Sequence, residues 1–537
     1  MSEGQEMRDA VIIGAGVTGI YMLHRLLGMG LDATIVEAAA RPGGTWNKNR
    51  YPGCRFDSES YSYGYTFSKE IFSEWKWSEH YAAQPETLRY IDFVVDKLNI
   101  REHMQFNSTV KAARFDEKNS CWHIEIEDGR TISARYLCTA VGLLSAPTLP
   151  SVDGIDQFRG QSFHTYNWPE EEVELKGKKV AVIGTGATGV QIISEIAGKV
   201  DQLTVFQRRP NWCAPLHNSP VSDKDHEEYI ADFDNIVETI RASPSGFVHV
   251  PVMQTSSDVP EEERYAFWEE LYAAPGFGIW VGNYIDVNRD PEANKEFSEF
   301  IAKKTRERLD DPEVADILIP KDHGFGSRRV PLETKYFEQY NRDNVQLVDL
   351  SKAPIERVTT KGIKTTEKEY EFDLIIYATG FDAITGSFDR MEIIGRDGVK
   401  LADKWQDGPK TFLGLQVPEF PNLFTIAGPQ SASHGSNFPP AIVSIVDWSC
   451  GLIQYMRDHG YTTSEPTNEA HQRWEKDVRD SYETTLIPTA KSWFTGFNSN
   501  VKGHDKMRYM VYLRGAVNYR QALDEVSSSD YRGFELN

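Results

Sequence analysis

Two stretches of this 537-residue chain repeat one local grammar, and no other feature limits its fold as tightly. Near the start, the apolar run AVIIG leads into the glycine turn GAGVTG, then helix-periodic IYMLHRLLGMG and a second run, DATIVE. About 170 residues later, KKVAVIG, GTGATG, VQIISEIAG and QLTVFQRR follow in the same order. Short apolar runs of this kind suit buried parallel strands, so each stretch reads as a βαβ unit. The first glycine of such a turn permits the reversal, the second lets backbone amides approach a pyrophosphate, and the third lets helix pack on strand. Two units that far apart predict an α/β protein with two Rossmann-like dinucleotide-binding domains, not a short-period repeat array.

The two fingerprints differ at one informative position. Gly14, Gly16 and Gly19 are followed by Glu37, 18 residues past the last glycine at the end of the second strand. A carboxylate there accepts hydrogen bonds from ribose hydroxyls and repels a 2′-phosphate, which suits FAD or NAD. Gly184, Gly186 and Gly189 are followed instead by Arg208 and Arg209. Guanidinium groups at that point match a 2′-phosphate by charge-assisted pairs and point to NADPH. One fold binding both cofactors is an electron-transfer arrangement, nicotinamide to flavin to a further acceptor. Disulfide reductases share the layout but need a close cysteine pair. Cys54, Cys121, Cys138, Cys213 and Cys450 are scattered, which argues against a dithiol centre, a disulfide framework or a structural zinc site and fits a reducing cytoplasm.

Charge narrows the partners. Fifty-eight basic against 80 acidic residues leave a net charge of −22, which repels nucleic acid and anionic membrane over most of the surface. Any anionic ligand must be held by a local basic cluster. The opening MSEGQEMRD lacks the pattern of an export signal, and Val11 to Leu31 is glycine-broken and carries His24 and Arg25, unlike a membrane span. The Pro- and Gly-rich stretch from Gly142 to Gly160 reads as an inter-domain connection, and the acidic run Glu170 to Glu172 as a solvated turn. Helix-favouring segments such as EEYIADFDNIVETIRA and KEFSEFIAKKTRERL predict a helical insertion. The expected organisation is residues 1–145 as the first part of an FAD domain and 146–217 as the first part of an NADP domain. Residues 218–322 follow as the helical insertion, 323–384 return to the NADP domain, and 385–537 complete the FAD domain with a substrate loop.

Two longer strings carry a family resemblance. Phe158 to Pro169 reads FRGQSFHTYNWP, and Gly43 to Asp57 reads GGTWNKNRYPGCRFD. In pattern and in order around the glycine turns, together with the later GFGSRR, the chain resembles the type I Baeyer–Villiger monooxygenases over essentially its whole length. The resemblance implies a flavoenzyme that inserts one atom of O2 beside a ketone carbonyl to give an ester or lactone. NADPH would reduce FAD, and a deprotonated flavin peroxide would attack the carbonyl. Such a site needs a fixed cation beside a developing oxyanion and must exclude water.

By position, Arg329 is similar to the family's catalytic arginine, and Asp57 to the carboxylate that orients it beside the cofactor. Arg328 stands where the family usually has a lysine that touches the 2′-phosphate. Gly44, Thr45, Trp46 and Tyr63 resemble flavin-side positions; Thr185, Thr188, Gln191 and Trp493 resemble nicotinamide-side positions. Within the signature string, Phe158, Gly160, His164, Thr165, Trp168 and Pro169 read as linker residues, with His164 hydrogen-bonding between domains. Residues 428–448 correspond to a variable substrate loop in relatives, and with Leu143, Leu144 and Phe438 suggest an apolar ketone pocket. Asn47-Lys48 replaces a common Tyr-Trp pair, and Arg209 replaces a common threonine. Two alternatives stand beside this reading: oxygenation at sulfur or nitrogen, which would not need Arg329, and a redox-sensing flavoprotein without turnover.

Overall fold

A computed structural model describes residues 6–537. The apolar runs of the first fingerprint lie at the centre of an eight-stranded sheet. Its path runs Glu392–Ile394, Val110–Asp116, Cys121–Ile126, Thr131–Thr139, Glu6–Ile13, Ala33–Val36, Met104–Gln105, and Leu423–Thr425 pairs additionally with Thr131–Thr139. Glu6–Ile13 is parallel to both of its neighbours, placing Ile12 between Ile35 and Cys138. The second sheet is wholly parallel, in the order Val345–Asp349, Gln202–Gln207, Lys179–Ile183, Leu374–Tyr377, Gln161–His164. A parallel sheet must be covered on both faces, and Val180, Ala181, Val182, Ile375 and Ile376 have no exposed surface.

Each fingerprint turn has the shape its glycines allow. Gly14 and Gly184 adopt φ +105° and +109°, and a Cβ at either would stand 2.6 or 2.4 Å from the carbonyl oxygen of Ala140 or Ala378. The helices that follow, Val17–Gly28 and Ala187–Ile196, start at Gly16 and Gly186 with no side-chain cap. Their first amides are therefore free to meet a ligand.

Between Gln202–Gln207 and Val345–Asp349 the chain makes the expected helical excursion. EEYIADFDNIVETIRA divides there into two helices, Asp223–Ala231 and Phe233–Ala242, separated at Asp232. Trp268, Phe297, Phe300 and Phe325 form the centre of a separate apolar core for this region. The sequence expectation for residues 428–448 needs correction. Only its first part is loop; from Phe438 it enters the 22-residue helix Phe438–His459, started by Pro439 and Pro440 in its first turn. That helix packs on Val17–Gly28, where the Tyr21 hydroxyl donates to Asp447 Oδ1 at 2.8 Å. Among the described residues no helix is long and apolar enough to cross a membrane.

The chain passes between the two sheets twice, and the crossings run side by side. Ile384 N donates to Leu143 O at 2.8 Å, Asp382 N to Ala146 O at 2.8 Å, and Thr148 N to Gly380 O at 3.0 Å.

Candidate active site

A cavity of about 730 Å³ opens where the first glycine turn, the crossing segments, the helical excursion and the C-terminal region meet. That volume is in the range of cofactor and ligand pockets. Gly14, Gly16, Glu37, Gly44, Thr45, Trp46, Asp57, Tyr63, Leu143, Leu144, Arg329, Phe438 and Trp493 all line it. Glu37 is 9 % exposed, and its carboxylate accepts from Ala15 N and Ala39 N, both at 2.7 Å. The acid is thereby fixed beside the glycine turn, where it could accept from a ribose. Trp46 Nε1 donates to the Tyr63 hydroxyl at 3.2 Å, and Tyr63 stacks on Phe56 with ring centroids 4.2 Å apart. These residues fit a flat, buried ring system with a pyrophosphate at the glycine turn. Trp493 stacks on Phe494 at 4.0 Å on the cavity's C-terminal wall.

Arg329 and Asp57, 272 positions apart, meet in this cavity: Arg329 Nη1 lies 2.8 Å from Asp57 Oδ2. The Asp57 side chain is completely buried, whereas the Arg329 side chain as a whole keeps 31 % of its surface. Asp57 Oδ2 also accepts from Leu332 N at 3.2 Å, so the acid is anchored to backbone and presents the cation to open space. The Phe277 ring lies 5.7 Å from the guanidinium carbon. Such a pairing leaves a permanent positive charge in a confined, partly apolar space.

The string around Asp57 also joins the second glycine turn. Gln191, on the helix Ala187–Ile196, accepts from the Tyr51 hydroxyl at 2.7 Å and donates to Arg55 O at 2.9 Å. Gly53 has φ +83°, and a Cβ there would stand 2.7 Å from Gln191 O, so the YPG turn requires glycine to let that helix approach. The departure at Asn47 has a visible use: its Oδ1 accepts from Arg50 Nη2 at 2.6 Å, while Arg50 Nη1 reaches Glu170 at 2.5 Å. Glu170 begins the acidic run, which is otherwise exposed as expected.

Other contributors carried no motif, and most of them come from the helical excursion. Glu59, 6 % exposed, faces His249 Nε2 at 2.7 Å and accepts from the Tyr81 hydroxyl at 3.2 Å. A Cβ on Gly276 would stand 2.5 Å from Glu59 Oε1, so this cluster presses directly on the loop that presents Phe277 to Arg329. Phe247, Phe277 and Trp280 supply aromatic cavity wall. Aromatic residues in a segment without a spacing pattern read equally as core, so only the folded chain reveals this use.

The second fingerprint forms a distinct anion-seeking surface. Gly186 is bare: a Cβ there would meet nothing within 4 Å, so protein packing does not demand glycine, whereas an approaching ligand would. Thr185 Oγ1 donates to Gln207 Oε1 at 3.2 Å and holds the turn against the strand end. Burial, then neighbouring Arg209 and Arg328, hold the Arg208 guanidinium below its usual pKa. Arg328 is lowered chiefly by burial, with Arg209 adding to the effect and Asp322, 3.0 Å away, opposing it. Arg328 Nε is buried with no partner. Three guanidinium groups with so little compensation suit a phosphate. Neither these arginines nor Thr185, Thr188 and Gln191 line the first cavity.

His164 braces the crossing segments. Its Nδ1 accepts from Tyr166 N at 3.1 Å, which leaves Nε2–H to donate to Gly380 O at 3.1 Å. Burial pushes the imidazole down to about 4, opposed by the bond to Gly380. Phe381 packs edge-on against both His164 and Tyr166. Within the same string, Trp168 and Thr165 are buried, and a Cβ on Gly160 would strike the Phe158 ring at 2.5 Å. A histidine whose folded pKa lies below its unfolded value contributes stability above about pH 6.5 that is lost as pH falls toward 4. The loss is up to roughly 3 kcal/mol for a shift of this size. His164→Gln should flatten this part of the denaturation-midpoint profile, slow turnover and leave flavin bound. An unchanged acid slope would show that His164 does not stay neutral in the fold.

Comparison with known proteins supports the same picture. Residues 7–218 match the family described as flavin-binding monooxygenase-like. The chain is 46 % identical over 534 residues, 98 % of each sequence, to 2-oxo-Δ3-4,5,5-trimethylcyclopentenylacetyl-CoA monooxygenase of Pseudomonas putida. It is 39 % identical to a Baeyer–Villiger monooxygenase of Pseudooceanicola batsensis, over 97 % of this chain and 95 % of that one. A crystal structure of OTEMO in complex with FAD and NADP superposes with a TM-score of 0.96 at 45 % identity, covering 99 % of this chain and 100 % of that one.

Proposed function

This chain belongs to the flavin-dependent Baeyer–Villiger monooxygenases, and on that premise we propose which of its residues carry the reaction. It is an oxidoreductase that uses FAD and NADPH and converts ketones to esters or lactones. The balance is ketone, O2, NADPH and a proton in; ester, water and NADP⁺ out.

The residues about the first glycine turn would hold FAD: Gly14, Gly16 and the free helix amides at the pyrophosphate, Glu37 at the ribose, and Gly44, Thr45, Trp46 and Tyr63 around the ring. The second turn and the Arg208, Arg209 and Arg328 cluster would hold NADPH, with Thr185, Thr188, Gln191 and Trp493 toward the nicotinamide. The chemistry supplied by the bound flavin is two-electron reduction by NADPH and activation of dioxygen. Asp57 fixes Arg329, and Arg329 places positive charge where the carbonyl oxygen becomes an oxyanion. Leu143, Leu144 and Phe438, with the aromatic wall from the excursion, keep water away from that charge. The Arg329–Asp57 pair carries the reading: an ion pair with its acid fully buried and its cation open to the cavity suits oxyanion stabilisation. Heteroatom oxygenation would give that pair no task.

The five cysteines are all buried and unpaired, which supports residence in a reducing cytoplasm. Turnover of a ketone panel under ¹⁸O2 tests the function: product mass should show one labelled oxygen per ester, with NADPH consumed in equal amount. Labelled sulfoxides or N-oxides without any labelled ester would overturn it.

A further inference from the structure

The cavity wall contributed by the helical excursion, from Phe277 to Arg289, serves the chemistry assigned above only as a screen against water. Trp280, Val281, Tyr284 and Ile285 make it apolar, but three polar side chains interrupt it: Asn288 is tied back to the wall, its Nδ2 donating to Trp280 O at 2.9 Å, and the other two are Asn283 and Arg289. Asn283 is only 2 % exposed. Its Oδ1 accepts from Trp268 Nε1 at 3.1 Å and from Tyr284 N at 2.8 Å, while its Nδ2 is buried with no partner. A buried amide donor left unpaired costs about 1–3 kcal/mol unless a ligand completes it.

Arg289 is the second group. It lines the cavity, is exposed, and among the described residues makes no ion pair or side-chain hydrogen bond, although acids flank it. Those acids are committed elsewhere. Asp286 accepts from Ser256 N at 2.9 Å and from Ser256 Oγ at 2.7 Å. Asp290 Oδ1 caps the helix Pro291–Arg306 through Glu292 N and Ala293 N. Leu486 N donates to Asn288 O at 3.2 Å, which holds the segment beside the C-terminal wall. A cation kept free at the cavity of a chain of net charge −22 is a local basic element for an anionic ligand.

We propose that Arg289 and the Asn283 amide recognise substrates in which the ketone carries an anionic arm. The guanidinium takes the terminal carboxylate or phosphate, and Asn283 Nδ2 donates to an acceptor on the same arm. This rests on the ketone-oxidising reading of the cavity and names the substrate class for it.

Three probes with one ring separate the possibilities: 2-oxocyclopentylacetate, its neutral methyl ester, and its coenzyme A thioester. Arg289→Met should raise KM about tenfold for one or both anionic probes, the size of a lost charge-assisted contact at a partly solvated site. The values of kcat, and of KM for the methyl ester and for NADPH, should stay within twofold. Arg289→Lys should recover part of the loss, and added salt should raise the wild-type KM for the anionic probes but not that of the Met variant. An effect confined to the free acid identifies a carboxylate site, and one confined to the thioester a phosphate site. An equal rise for the methyl ester, a rise for NADPH, or no change in any probe would overturn the proposal. Lactone from the neutral ester in these last cases would leave the ketone-oxidising function intact, whereas no lactone from any probe would remove that function itself.

Discussion

Arg329→Ala should abolish ester formation while leaving both cofactors bound. Losing one preorganised donor at a developing oxyanion typically costs about 10²–10³ in rate, and a full charge in a confined site costs more. Flavin reduction should change far less, since hydride transfer depends on ring alignment rather than on a cation beside the ketone. The variant should therefore keep oxidising NADPH and release hydrogen peroxide in place of product. Asp57→Ala should shift in the same direction by less, because Arg329 stays but loses the partner 2.8 Å away. Product mass and peroxide, measured together with a good ketone, decide the matter. Normal ester yield from Arg329→Ala would move the catalytic charge to another residue.

Arg208→Ala should raise KM for NADPH about ten- to hundredfold, the equivalent of the ~1.5–3 kcal/mol of a charge-assisted hydrogen bond. KM for NADH should hardly move, because only the 2′-phosphate distinguishes the two. A second readout separates binding from folding. Burial and the neighbouring Arg209 and Arg328 disfavour the charge on Arg208, so the protein without NADP⁺ should lose little or no thermal stability on substitution. NADP⁺ at a fixed, saturating concentration should then raise Tm less in the variant than in the wild type, by an amount set by the logarithm of the ratio of affinities. Equal rises in KM for NADPH and NADH would defeat the 2′-phosphate assignment.

The parts legible beforehand were those in which chemistry imposes spacing. A glycine turn between an apolar strand and a helix, and an acid or a basic pair at the next strand end, are local patterns, and Glu37 and Arg208 each follow directly on the last residue of their strand. The proximity of Asp57 and Arg329 spans most of the fold, and only the family resemblance pointed to it. Phe277, Asn283, Arg289 and the Glu59–His249 contact stayed hidden because the helical excursion has no repeating pattern tied to a ligand. Its aromatic residues are as consistent with the core around Trp268 as with a cavity wall, and they divide between both. Residues 428–448 were misjudged for a different reason. The polar segment GPQSASHGSN leads to the cavity and the stretch from Phe438 forms the helix that covers Val17–Gly28, whereas the resemblance treated both as one loop.

The paired crossings at Leu143–Thr148 and Gly380–Ile384 also govern the order in which the protein can mature during synthesis. All five strands of the second sheet have left the ribosome once Leu374–Tyr377 emerges. The first sheet, although it begins at Glu6, still lacks Glu392–Ile394 and Leu423–Thr425, and its leading helix is uncovered until Phe438–His459 appears. The later-encoded nucleotide unit can thus close first, while the N-terminal strands wait with apolar surface exposed. The oldest residues of the nascent chain, rather than its newest, thus carry the apolar surface that waits longest for cover, and the cavity at the first glycine turn is complete only when its C-terminal wall has been made.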